Sequence, residues 1–311
     1  MNANTLVVGG TGLIGREVVA SLYARGVVPR VLTRNPGRAA RLLPGAWLIQ
    51  GDLRARSSIR AALEGVRDVL LALPRGFEET RAAAWLVDAC EAAGVRRLVL
   101  ISSVRPDRGD SRLRQALRGV LGRRAAGRRL EARARQSGIE TVILRPANLY
   151  QRDELHRVEL VEGRYPQPLG ARGVNRVDAR DVGLAGARAL LGDLAPGVYP
   201  IVGPQAWTGA ECAALWSAAL GRRVRYVGDN IETWARRVTA RLPDTSVEAL
   251  RDHYRELQRA GGRVDAEDLR RCAEALGRAP IPYARYVASA AGRWLSRPTP
   301  YLASDSSGAW R

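Results

Sequence analysis

Apolar residues along this chain alternate between short continuous runs and stretches at helical spacing. Thr5–Val8 is a four-residue, β-rich apolar run that stops at Gly9. Leu13, Val18, Val19 and Leu22 then fall on one helical face, predicting a helix that begins near Gly12 and is regular over Gly15–Arg25. The same rhythm predicts strands at Arg30–Thr33, Ala46–Gln50, Asp68–Leu73, Arg97–Ser102 and Thr141–Arg145. Helical patterns fill most of the gaps, notably Ser57–Leu63, Phe77–Ala93 and Leu113–Ser137. Strands separated by helices imply a parallel sheet covered on both faces, an α/β, Rossmann-like doubly wound fold. After about Gly197 the pattern changes. A short strand, Val198–Val202, precedes the helical stretches TGAECAALWSAALG, SVEALRDHYRELQRAG and DAEDLRRCAEALG. No repeat or low-complexity linker interrupts the chain.

The junction of the first strand and first helix is where chemistry enters. Gly10, Gly12 and Gly15 form G-x-G-x-x-G at a strand-to-helix turn. Glycines there let backbone approach a ligand closely, and the helix start offers free N–H groups and the positive end of its dipole. A pyrophosphate suits that environment, so residues 1–150 read as a dinucleotide-binding core. Residues 151–311 read as a smaller, mainly helical substrate-side lobe, with chain segments returning to the core. The alternative is a tight βα turn whose glycines serve packing alone.

Composition narrows the setting. The 311 residues are 46% hydrophobic, sufficient for a large core. No run approaches the roughly twenty apolar residues that span a bilayer, and no signal-peptide pattern opens the chain. A cytoplasmic protein without a membrane partner is the expectation. Cys90, Cys212 and Cys272 lack metal or disulfide spacing and read as buried thiols. With only His156 and His253 beside them, no metal site is expected. The net charge of +19 points toward nucleic acid at first sight. The chain contains no lysine, however, and its arginines are spread along its whole length, as in an Arg-rich compositional background. Their densest run carries Leu113, Leu117, Val120 and Leu121 at helical spacing, which assigns its arginines to a solvated face and makes nucleic acid an unfavoured partner.

The end of the second strand refines the ligand. In dinucleotide-binding folds an acidic residue near this point takes the ribose 2′-hydroxyl, whereas a basic one suits a 2′-phosphate. Here it is Arg34, whose planar fork matches phosphate and favours NADP(H), the alternative being one more surface arginine in an Arg-rich chain. Arg38 and Arg41 either assist or form the exposed face of a helix turn.

The segments VVGGTGLIGREVV, VLTRNP, QGDL, DVLLALP, RLVLISS and EARARQSGIETVILRPANLY occur in the order found in the NmrA-like, or atypical short-chain dehydrogenase/reductase, family. HYRELQRAGG and ALGRAPIPYARYVASAAGRW extend that resemblance through the C-terminal lobe. The resemblance implies an NADP(H)-binding Rossmann-like protein. By position it implies that Gly9, Gly10, Thr11, Gly12, Leu13, Ile14 and Gly15 line the pyrophosphate, and that Arg34 and Asn35 face the 2′-phosphate. It further places Asp52 and Leu53 at the adenine, Ala72, Leu73 and Pro74 at the ribose and nicotinamide, and Pro146 near the nicotinamide.

The Tyr-x-x-x-Lys pair of the wider superfamily is missing, because Arg123 and Gly127 stand where it would fall. Tyr150, then His156, are the expected proton donors, with packing against the substrate lobe the alternative for Tyr150. Ser102 and Ser103 end a strand and are candidates to bind a substrate carbonyl, or simple turn residues. Trp207, Trp216 and Trp234 either line an aromatic pocket or form core. The expected function is NADPH-dependent reduction of a small organic substrate such as a quinone, enone or imine, in a setting of bacterial secondary metabolism. A non-catalytic NADP(H) sensor acting through a protein partner is the alternative, and a homo-oligomer is compatible with either.

Overall fold

The computed structural model describes residues 4–74, 77, 81–103 and 123–296. Its first half follows the predicted alternation: β1 (Thr5–Val8), α1 (Leu13–Tyr23), β2 (Arg30–Thr33), α2 (Pro36–Leu42), β3 (Trp47–Gln50), α3 (Arg56–Leu63), β4 (Asp68–Leu71), α4 (Arg81–Ala92), β5 (Arg97–Ile101), α5 (Arg123–Gln136) and β6 (Glu140–Pro146). The expected helix over Leu113–Ser137 is described only from Arg123, so Leu113, Leu117, Val120 and Leu121 lie outside the described residues. Beyond β6 come β7 (Asn148–Leu149), a 3-10 helix (Tyr150–His156), α6 (Arg157–Val161), β8 (Arg164–Tyr165), β9 (Val174–Val177), α7 (Ala179–Leu190) and β10 (Gly197–Ile201). The remainder is β11 (Ala206–Trp207), α8 (Gly209–Leu220), β12 (Arg225–Tyr226), α9 (Ile231–Val238), α10 (Asp244–Ala260), α11 (Ala266–Leu276) and α12 (Tyr283–Leu295).

The chain divides into two compact units. The first comprises Met1–Pro146, Ala179–Ile201 and Arg270–Ala279, so segments from beyond residue 150 belong to it. It holds a seven-stranded sheet in the order β10-β6-β5-β4-β1-β2-β3. Every pairing in that sheet is parallel. The order reverses direction between β1 and β4, which creates the crevice where open α/β sheets bind ligands. Burial explains the strands: all four β1 side chains and all five β5 side chains are buried. On one face of the sheet, Leu6, Val8, Val69, Leu71, Leu98 and Leu100 share a core with Ile59, Leu63, Leu86 and Val87 of α3 and α4.

Helix α7 was not singled out by the sequence pattern, and its glycines show why it forms. A Cβ at Gly183 would lie 2.5 Å from the Glu17 backbone, and one at Gly186 would lie 2.9 Å from Val18 Cγ2. Small residues on this face let α7 approach α1 to backbone distance, and the packing gained there overrides their poor helix propensity.

The second unit comprises Ala147–Asp178, Val202–Leu269 and Pro280–Arg311. It contains a three-stranded sheet (β11-β9-β7), a two-stranded sheet (β12-β8) and most of the later helices. Helix α8 starts at a capping box between Thr208 and Glu211. Trp216 and Trp234 sit with Tyr150, Tyr254, Tyr283 and Tyr286 in one aromatic-rich core, while Trp207 is half-buried against it. Trp216 stacks on Trp294 at 4.6 Å. Of the two readings, core is the one that Trp216 and Trp234 follow.

Inside that core lies a fully buried ion pair. Arg176 Nη2 donates to Asp153 Oδ1 at 2.9 Å. Asp153 also accepts from Tyr165, Tyr283 and the Trp216 indole. The guanidinium further donates to Asn148 Oδ1, Gln167 Oε1 and the Leu149 carbonyl. Two charges are tolerated here because neutral donors and acceptors from several segments satisfy them.

Candidate functional site

Because the sheet of the first unit is parallel, the segments leaving its strands emerge along one edge. Gly9–Gly12 follow β1, Arg34 follows β2 and Asp52 and Leu53 lie just past β3. Ala72–Pro74 follow β4, Ser102 and Ser103 follow β5, and Pro146 closes β6. These sequence-predicted positions are thereby brought to a common edge.

The glycine turn wraps around one carbonyl. Gly9 has φ +82°, and its oxygen accepts from Gly12 N at 3.0 Å. A Cβ at Gly9 would stand 2.1 Å from the Ala72 oxygen, one at Gly10 2.7 Å from Val31 Cγ1, and one at Gly15 2.1 Å from the Gly9 oxygen. Protein packing alone thus demands glycine at those three positions. Gly12 is different. It is exposed, and a Cβ there would meet only the Gly9 oxygen, at 3.2 Å. Gly12 is also the N-cap of α1, which has no side-chain cap and no acidic residue in its first turn. The positive end of the α1 dipole therefore faces an open cradle at Gly12, which fits a pyrophosphate.

Arg34 is exposed and makes no ion pair or hydrogen bond among the described residues. Asn35 is committed locally: its Oδ1 accepts from Arg38 N at 2.9 Å as the N-cap of α2, and its own N donates to Thr33 Oγ1. Asn35 thus caps α2 through its side-chain oxygen, and Arg34 stands beside it with its side chain exposed. Asp52 Oδ1 accepts from Arg54 N, which shapes the turn after β3. Leu53 and Leu73 are half-buried against the core, Pro74 is exposed and Pro146 is buried.

The two expected proton donors belong to the second unit and are core side chains. Tyr150 has no exposed surface, donates to the Ile281 carbonyl at 3.1 Å and packs on Tyr283 and Tyr286. His156 is buried, and its Nε2 accepts from the Trp234 indole at 3.1 Å. Burial first, then the charges of Arg241, Arg237 and Arg176, lower its pKa to about 3. It is therefore neutral near pH 7, and that indole bond occupies its acceptor nitrogen. The three cysteines are free and buried, and burial raises Cys90 to about 12 and Cys212 to about 11, which removes thiolate chemistry from both.

Sequence reasoning missed what stands behind Ser102. The Ser102 hydroxyl donates to Glu131 Oε1 at 2.5 Å, and Glu131 is fully buried and gripped by Arg145. The available signal was the lone carboxylate of RRLEARAR, set in an otherwise basic helix. Among the described residues no cluster of His, Cys, Asp or Glu is placed to hold a metal, and no helix is long and apolar enough to cross a membrane.

A parallel sheet in this order, with a glycine turn at its switch point and an open helix start beside it, defines a dinucleotide-binding protein. The chain belongs to the NAD(P)H-binding family, whose profile matches residues 9–188. It is 32% identical to an NAD(P)H azoreductase of Xenophilus azovorans over 80% of this chain and 85% of that one. The structure of a Citrobacter sp. triphenylmethane reductase complexed with NADP(H) superposes with a TM-score of 0.76 at 22% identity, covering 93% of this chain and 99% of that one. NmrA, a negative transcriptional regulator solved with NADP, gives a TM-score of 0.69 at 18% identity, covering 94% and 97%. These two likenesses establish a shared fold with the NmrA-like proteins.

Proposed function

We propose that the protein is an NADPH-dependent reductase of a small organic substrate: a quinone, enone, imine or azo compound. The observation that carries this reading is the 32% identity with an NAD(P)H azoreductase along most of both chains. In this reading Gly12 and the start of α1 take the pyrophosphate, Arg34 takes the 2′-phosphate and Ala72–Pro74 border the nicotinamide. Bound NADPH supplies the hydride. The protein's part is orientation. With Tyr150 and His156 held in the core, the proton that balances the hydride comes from solvent, which suits acceptors that need little acid help. The setting we propose is the cytoplasm of a bacterium, in which three free buried thiols need no oxidising compartment. Nucleic acid has no part in this reading, since arginines such as Arg133, Arg251 and Arg255 are engaged in surface ion pairs.

The absence of a Tyr-x-x-x-Lys pair and the burial of both expected donors favour a second reading, a sensor that binds NADP(H) without turnover. One experiment separates the two. Purified protein is mixed with NADPH and a panel of quinones, azo dyes, enones and imines, and NADPH oxidation is followed. Turnover with any of them supports the reductase, whereas tight binding without turnover across the panel supports the sensor. In the same titrations Arg34→Ala is expected to lower the NADPH/NADH affinity ratio roughly ten- to a hundredfold, the worth of a charge-assisted hydrogen bond. An unchanged ratio would remove Arg34 from the site.

A further inference from the structure

Ser102 follows β5, with its backbone N–H and its hydroxyl both held by the first unit. Its backbone N donates to the Leu144 carbonyl at 2.8 Å, which fixes the chain beside β6. Its hydroxyl donates to Glu131 Oε1 at 2.5 Å. The direction of that bond follows from what holds Glu131. Arg145 approaches as a fork, Nε to Oε1 at 3.1 Å and Nη2 to Oε2 at 2.6 Å, and Arg135 Nη2 adds a contact to Oε2 at 3.3 Å. Both oxygens accept from guanidinium, so Glu131 is a carboxylate with no hydrogen to give. The hydrogen between the two groups is the serine's.

A serine hydroxyl has one hydrogen and two lone pairs. With the hydrogen committed to a fully buried carboxylate, the half-exposed Ser102 presents lone pairs only. It cannot then serve as the donor to a substrate carbonyl that the sequence suggested. A buried ion pair is weak as a source of stability compared with apolar packing, so its placement directly behind a ligand-facing serine calls for another explanation.

The strand order supplies one. β5 lies between β4 and β6, so Ser102 emerges at the level of the sheet's carboxyl edge, between the segment Ala72–Pro74 that follows β4 and Pro146 that closes β6. Given the proposed dinucleotide reading, on which this inference rests, that level borders the nicotinamide. We infer that Glu131 is a positioning residue that fixes Ser102 as a hydrogen-bond acceptor for the carboxamide N–H of the nicotinamide.

The test uses the full-length protein and two oxidised dinucleotides, NADP⁺ and its 3-acetylpyridine analogue, which keeps the ring carbonyl but lacks the carboxamide N–H. Wild type is expected to bind the analogue roughly five- to tenfold more weakly, the worth of one hydrogen bond. Ser102→Ala is expected to bind both alike, and Ser102→Thr to restore the difference. In Glu131→Gln the new amide N–H can face Ser102 and turn its hydrogen outward, so the preference for NADP⁺ is expected to shrink or invert. A purely structural role for the pair would move unfolding midpoints without changing this ratio. Equal binding of the two dinucleotides by wild type, or full discrimination retained in Ser102→Ala, overturns the inference, and Ser102→Ala decides even if Glu131→Gln does not fold. Failure of wild type to bind either dinucleotide overturns the dinucleotide reading and the inference with it, an outcome distinct from equal binding.

Discussion

Acid should weaken this protein through His156 in a measurable and separable way. The side chain is 1% exposed, surrounded by the charges of Arg241, Arg237 and Arg176, and its pKa falls from 6.5 to about 3. The folded state therefore holds His156 neutral at pH values where the unfolded chain already protonates it. A depressed histidine pKa means that the unfolded state binds more protons between about pH 3 and 6.5, so stability falls as pH drops through that window. The full effect is about 5 kcal/mol, at roughly 1.4 kcal/mol per pH unit, and about 2.5 kcal/mol is lost by pH 4.5. The perturbation is His156→Gln, which offers the Trp234 indole an acceptor without a titrating ring. Urea unfolding at pH 7.5 and 4.5 is the assay. Both proteins will lose stability as carboxylates protonate, but wild type should lose about 2.5 kcal/mol more than the variant. Equal losses would refute the reasoning and mean that His156 can charge where it sits. The same pKa predicts that no step of turnover titrates with this histidine near neutrality.

Two further outcomes follow from the glycine turn and the buried ion pair. Gly12→Val should fold, because a Cβ there meets only the Gly9 oxygen, at 3.2 Å, yet lose affinity for NADPH and NADH together. Gly15→Ala, with its Cβ 2.1 Å from that oxygen, should cost about 1–3 kcal/mol of stability before any effect on binding, and thermal unfolding alongside cofactor titration checks both. Arg176→Met should destabilise by about 3–5 kcal/mol in urea by leaving Asp153 a buried unpaired charge, and adding Asp153→Asn should recover part of that loss.

The parts of the fold that the sequence revealed are those where local pattern and tertiary role agree. β1 and β2 have the predicted bounds, and Val18, Val19 and Leu22 are the buried face of α1. Strand ends moved by a residue or two, as at β4, which stops at Leu71 where the chain leaves its neighbours. The rest was hidden by long-range effects. Gly183 and Gly186 argue against a helix until α1 is pressed against them. Val174–Val177 reads VNRV, and nothing local says that Arg176 is fully buried, since its partners lie at 148–153, 165 and 167. At the candidate site the glycine turn at the start of α1 was visible because backbone geometry decides it. The roles of Tyr150 and His156 were not, since burial decides those, and burial is set by residues more than seventy positions away, such as Trp234 and Tyr283.

The returning segments of the first unit bear on how the chain folds as it is made. β6 emerges from the ribosome early, but its outer partner β10 begins only at Gly197, after β7–β9 and α7 have been synthesised. Until then its outer N–H and C=O groups are unpaired, and the α1 surface that later meets Gly183 and Gly186 is bare. An N-terminal fragment ending near residue 150 would carry the glycine turn of α1 with an open sheet edge, the kind of species that aggregates. A productive nascent chain must therefore delay completing its first unit until Arg270–Ala279 has emerged. Stalling translation between residues 150 and 200 should produce a chaperone client, not a small soluble cofactor-binding domain.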